Sequence, residues 1–182
     1  ATTVGPWLQK IADPDNYPGL DMQEILRYAK AAGVGIWLYV DQHALERQLE
    51  TIVPLYAEWG VVGIKFGFVY EGPQGWSRWL IDAVELCAKH RLMVDIHDEY
   101  RPTGMQRTWP NMVNVEGIRG NEEFPDADHN ATLPFTRFVD GLADYTICIY
   151  SDRLKTRRTQ QLAMAVCFFA PFEMVYWYDN EW

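Results

Sequence analysis

Hydrophobic and polar positions along the chain switch repeatedly between two periods. Residues 21–32, DMQEILRYAKAA, place Ile25, Leu26 and Ala29 on one helical face, with Gly33 as a stop. The next run, VGIWLYV at 34–40, is continuously apolar, as suits a strand buried on both faces of a parallel sheet. Residues 43–59 return to a helical period and end at Gly60. The cycle then repeats: VVGIKFGFV (61–69) reads as a strand, 73–89 as a helix opened by Pro73, and LMVDIH (92–97) as a strand. A shorter strand follows in MVNVEG (112–117), then a strand at ADYTICIY (143–150), a helix at about 157–169 and a last strand at EMVYWY (173–178).

About six strands, most of them separated by amphipathic helices, define βα units and a parallel sheet with right-handed crossovers. Two architectures satisfy that pattern, an open doubly wound sheet and a (β/α)8 barrel. No glycine-rich phosphate loop follows any of the strands, which weighs against the dinucleotide-binding form of the open sheet. The expectation is therefore an incomplete (β/α)8 TIM barrel of α/β class, with residues 1–182 forming a fragment of one catalytic domain. Such a chain begins after the first two barrel strands and stops just after the eighth. Unpaired strand edges and uncovered apolar surface then predict association with the missing barrel segment or with another copy.

Composition narrows the partners. The chain is 48% apolar and 23% charged, enough for a core and too balanced for disorder. Its net charge of -9 disfavours nucleic acid and is compatible with a neutral substrate or a bound cation. No run has the length of a membrane-spanning helix. Cys87, Cys148 and Cys167 sit in apolar runs without CxxC spacing and read as free core thiols. Eight Trp and ten Tyr leave open whether some rings fill the core and others stack on a sugar-like ligand.

Chemistry in a parallel barrel sits at the C-terminal ends of the strands. Asp41, the run His97-Asp98-Glu99, then Glu116, Glu122, Glu123 and Asp179 all fall there. Asp41 is equally a helix cap, and Asp179 and Glu123 are equally solvated surface. Asp98 and Glu116 follow or interrupt apolar strands, where a charge is costly unless paired, hydrogen-bonded or bound to metal. Glycoside hydrolysis and calcium binding both use such carboxylate clusters, and the two can coexist.

The segments "IKFGFV", "MVDIHDEYRPTG", "RTWPNMVNVEGIRGNEE", "LPFTRFVDGLADYT" and "FEMVYWYD" resemble the catalytic barrel of glycoside hydrolase family 97 from about residue 20 onward. That family comprises calcium-dependent α-glucosidases and α-galactosidases, which the resemblance implies to be exported to the periplasm or beyond. The N-terminal β-sandwich and C-terminal β domain of whole members are not seen in this sequence. The resemblance implies Glu122 as general acid and Asp98 as base, with Asp41 as a second base. It implies Asp98, Glu116 and Glu122 as calcium ligands. His97, Arg101, Tyr100 and Trp109 become candidate contacts to an oligosaccharide or α-glycoside, with Trp177 a further aromatic candidate.

Where retaining members resemble "KVDF", with an aspartate nucleophile, this chain reads "KFGF" and places Gly67 there. Glycine cannot attack an anomeric carbon, so the expectation is an inverting α-glycosidase, its two carboxyls roughly 6.5–9.5 Å apart. Two other readings stay open: a barrel that binds α-glycosides without cleaving them, and an unrelated metal hydrolase built on His97, Asp98 and Glu99.

Overall fold

The structure, a computed structural model, describes residues 21–70 and 72–175. Expectations placed on the first twenty residues, on Trp177 and on Asp179 lie outside them. The chain divides into two compact units, residues 1–94 and 95–182.

In the first unit, α1 (Met22–Ala31) starts where Asp21 accepts the Glu24 N–H at 3.0 Å, and it buries Met22, Leu26 and Ala29. Strand β1 (Trp37–Asp41) pairs in parallel with β2 (Gly63–Val69), in a register that sets Trp37 against Gly63 and Asp41 against Gly67. Between them runs α2 (Gln42–Trp59), and α3 (Gln74–Lys89) follows β2. The helices cover the sheet with the periodic apolar residues read from sequence: Ala44, Leu45 and Val53 from α2, Leu80, Ala83 and Val84 from α3, and Val40, Ile64 and Phe66 from the strands are all fully buried. Each large side chain of this set contributes about 1.5–3 kcal/mol by leaving water. Strand β3 (Met93–Asp98) begins at the end of this unit, where the Met93 N–H reaches the Val62 carbonyl at 3.0 Å.

The second unit holds the rest of β3 and its neighbour β4 (Met112–Val115). Beyond β4 come short 3-10 turns, a six-residue helix α4 (Ala127–Thr132) and α5 (Arg158–Cys167). Leu133, Tyr145, Ile147, Met164 and Phe168 form its core, with Phe138 stacked on Phe168 at 4.6 Å between ring centroids. The strand expected at 143–150 is absent as a regular element; a single parallel bridge joins Ile147 to Val175. Thr146 explains the interruption, because its φ of 56° is left-handed, a conformation that a β-branched residue cannot continue into a ladder.

Cys87 and Cys148 are buried free thiols, and burial pushes Cys87 up to about 12. Cys167 is exposed, contrary to the reading of all three as core residues. No described helix is long and apolar enough to cross a membrane.

Candidate active site

Alternation along β3 sends Val94 and Ile96 to one face and Asp95 and His97 to the other. His97 is 3% exposed. Its Nδ1 lies 3.1 Å from Glu116 Oε2, and its Nε2 lies 2.6 Å from Asp144 Oδ2 and 3.2 Å from Asp95 Oδ2. A ring with carboxylates at both nitrogens must donate from both, which only the doubly protonated imidazolium does. Desolvation works against that charge, but the bonds to Asp144, Asp95 and Glu116 outweigh it and push the pKa up to about 11. Burial alone would raise the Asp144 carboxyl, yet the His97 ring and the Met174 N–H, 3.0 Å away, hold it below the ordinary carboxylate value.

Glu116 stands just past β4. Its Oε2 accepts the Asp98 N–H at 2.6 Å as well as the His97 ring. Asp98 has a φ of 76°, so β3 ends in a left-handed residue that turns the chain out of the sheet. The Arg137 guanidinium straps the backbone here, donating to the Glu116 carbonyl at 2.8 Å, Gly117 at 2.8 Å, Leu142 at 2.8 Å and Gly141 at 3.2 Å. Burial pushes the Arg137 pKa down to about 10.

Glu122 is exposed on a 3-10 turn, Asn121–Glu123. One ligand atom each of His97, Glu116 and Glu122 lies within 4.8 Å of the others, and the same holds for Asp95, His97 and Asp144. The first group can hold a metal ion. Its carboxylate oxygens suit a hard cation, whereas the His97 nitrogens are committed to carboxylates and are the wrong donor type for one.

The structure thus brings together Glu116, Glu122 and His97 from the residues singled out in sequence. Asp98 touches the cluster through its backbone and does not belong to the group of three. Asp41 lies in the first unit and caps α2, accepting the His43 N–H at 2.8 Å. Tyr100 is 7% exposed and donates its hydroxyl to Met105 Sδ at 3.2 Å, which makes it a core residue and not an open sugar platform. Arg101 is exposed and Trp109 half-buried. His97 was expected to meet a sugar hydroxyl, but its ring is turned to carboxylates. Sequence reasoning passed over Asp95, Asp144 and Arg137. The signal for the first two was an Asp within an otherwise apolar run, two positions before His97 in one case and directly after Ala143 in the other.

At Gly67 the phenol ring of Tyr39 occupies the space a side chain would need; a Cβ there would collide with its hydroxyl end. Tyr39 also meets Phe68 edge to face, at 6.5 Å between ring centroids.

Parallel βα units with a carboxylate cluster past the end of β4 are an arrangement that barrel enzymes use. Residues 8–118, more than half of the chain, match the family model Glycoside hydrolase 97, and the chain belongs to that family of glycosidases. It is 35% identical to the retaining alpha-galactosidase of Bacteroides thetaiotaomicron, over 86% of this chain and 27% of that protein. It is 36% identical to a probable retaining alpha-galactosidase of Streptomyces bingchenggensis, over 75% of this chain and 22% of that protein. Among solved structures it is similar to a glycoside hydrolase family 97 enzyme from Pseudoalteromonas sp. strain K8 in complex with panose, with a TM-score of 0.79 and 25% identity over 87% of this chain and 30% of that one. A glycoside hydrolase family 97 enzyme from the same strain in complex with acarbose gives a TM-score of 0.76 and 26% identity over the same shares. The chain therefore carries part of a (β/α)8 barrel, and it spans about a quarter of the length of the curated relatives it matches, 27% and 22%.

The inverting scheme inferred from Gly67 is overturned, because both curated relatives are named as retaining.

Proposed function

We propose that the protein carrying this chain is an α-glycosidase of α-galactosidase type that cleaves its substrate with retention of anomeric configuration. The observation that carries this reading is the approach of Glu122 to Glu116 beside the His97 ring. Glu122, exposed on its turn, protonates the leaving oxygen. Retention also calls for an ionised carboxylate roughly 5–5.5 Å from the acid. Gly67 offers none, and Glu116, bonded to His97 and the Asp98 N–H, is a holder of the ion, so the attacking carboxylate comes from outside this cluster. The names of the two curated relatives and of the oligosaccharide complexes support a carbohydrate substrate.

We assign calcium as the ion the site takes, held by Glu116 and Glu122 with Asp98 beside them. Bound there, it supplies positive charge that organises the carboxylates and can fix sugar hydroxyls. Exposed apolar residues of α5 and its C-terminal end, Leu162, Val166 and Phe169, suit a face covered by the rest of the barrel. NMR of the first product of α-galactoside hydrolysis tests the stereochemistry: an α-anomer is expected, and a β-anomer ends the reading. Glu122→Gln should lower hydrolysis of a substrate with a poor leaving group by about 10²–10⁴-fold, and an unchanged rate removes Glu122 as acid.

A further inference from the structure

The geometry points to Gln161 and Asn121 as positioning residues for the acid: a pair of buried side-chain amides that fixes the turn carrying Glu122. This inference rests on the reading of Glu122 as general acid. Asn121 directly precedes Glu122, and both amides are fully buried. They bond reciprocally. Asn121 Nδ2 donates to Gln161 Oε1 at 2.6 Å, and Gln161 Nε2 donates to Asn121 Oδ1 at 3.3 Å.

The pair is anchored on every side. Asn121 Nδ2 also donates to the Thr146 carbonyl at 3.0 Å, and Asn121 Oδ1 accepts the Tyr145 hydroxyl at 3.3 Å. Gln161 Nε2 reaches Thr156 Oγ1 at 2.8 Å, and its Oε1 accepts the Cys148 N–H at 3.3 Å. The turn backbone is tied to the same segment, with the Asn121 N–H on the Tyr145 carbonyl at 3.1 Å. Gly120 lies so close that a Cβ would sit 2.5 Å from that carbonyl oxygen.

Two fully buried amides carry a desolvation cost that an apolar pair would avoid, so their return lies in register more than in stability. Each bond is directional, and together they allow one placement of residue 121 relative to α5. Glu122 is exposed and follows directly on the buried Asn121, so the path of the turn sets where its side chain begins. A general acid must reach the leaving oxygen to within hydrogen-bond distance, so a small drift of this turn is felt in the chemical step.

The test uses the full-length enzyme and two α-galactosides, one with a good aryl leaving group and one with a poor alkyl leaving group. The good leaving group needs little protonation, so loss of acid placement penalises the poor one selectively. Gln161→Leu should lower kcat for the alkyl substrate by up to about 10²-fold, with a much smaller loss for the aryl substrate and KM little changed. Gln161→Glu keeps Oε1 as acceptor for Asn121 and Cys148; it should lose less while keeping the same substrate selectivity, and it replaces the leucine variant if that fails to fold. Equal losses for the two substrates in the folded variant overturn the inference. Glu122→Gln, run in parallel, separates the two readings. Selectivity in Glu122→Gln without selectivity at Gln161 refutes the positioning role alone, whereas no selectivity in Glu122→Gln refutes the acid and the positioning role together.

Discussion

Replacing His97 by leucine removes a cation that faces Asp95, Asp144 and Glu116. The first two carboxylates are fully buried and Glu116 is 7% exposed, so water cannot take the place of the ring. Removing one partner of a buried ion pair costs about 3–5 kcal/mol, because the remaining charge is left desolvated. The proton on the ring sets how that cost varies with pH. The folded state holds it up to a pH of about 11, against 6.5 for a free histidine. A raised folded pKa stabilises fully below the unfolded value and loses that contribution as pH rises toward the folded one. Across that window each pH unit removes about 1.4 kcal/mol, for a ceiling of about 6 kcal/mol. The gap in unfolding free energy between parent and His97→Leu should therefore be widest near pH 6 and should narrow at pH 8 and again at pH 10. Urea unfolding followed by tryptophan fluorescence measures it, with a chelator present so that no ion replaces the lost charge. A gap under about 1 kcal/mol at pH 6, or one that widens with pH, refutes the imidazolium clamp.

Two further outcomes follow from the same loop. Gly117 has a φ of 46° and lies against the Tyr100 carbonyl, so Gly117→Ala combines a left-handed alanine with a backbone collision. A loss of about 2–4 kcal/mol is expected, read as a fall in melting temperature together with lower turnover, since Glu116 is the neighbouring residue; an unchanged melting temperature contradicts the geometry. Chelation should slow hydrolysis, and added calcium should restore it better than magnesium, because the Glu116 and Glu122 oxygens offer a loose set of hard donors and not a compact octahedron. Full activity in excess chelator removes the ion from the site.

Much of the fold was legible because helical period and strand period are properties of neighbouring residues. The helices at 22–31, 42–59, 74–89 and 158–167 fall within two residues of the periodic segments, as do the strands at 63–69 and 93–98. The apolar run at 143–150 misled for a physical reason. Its composition is that of a strand, but Thr146 turns left-handed and Asp144 is drawn to His97, and neither effect is visible in hydrophobicity. Asp41 shows the opposite limit. A carboxylate at the end of a strand and the start of a helix satisfies the local rule for a catalytic residue and the local rule for a cap, and the bond to the His43 N–H shows the cap.

The crowded run His97-Asp98-Glu99-Tyr100-Arg101 resolves once the faces of β3 are separated. His97 continues the extended strand and shares a face with Asp95, so its charge is spent inside on buried carboxylates. At Asp98 the backbone turns left-handed, which ends the alternation and frees its N–H to bind Glu116. Tyr100 turns back into the core, while Glu99 and Arg101 remain at the surface. Five adjacent polar or aromatic residues therefore differ sharply in environment from one to the next. The imidazolium connects those environments to the chemistry. One of its nitrogens faces Asp144 and Asp95, and the other meets the carboxylate that Glu122 approaches. Glu116 is thus bonded to a charge fixed in the interior, while the turn that carries Glu122 is tied by uncharged amides, so different parts of the fold set the surroundings of each.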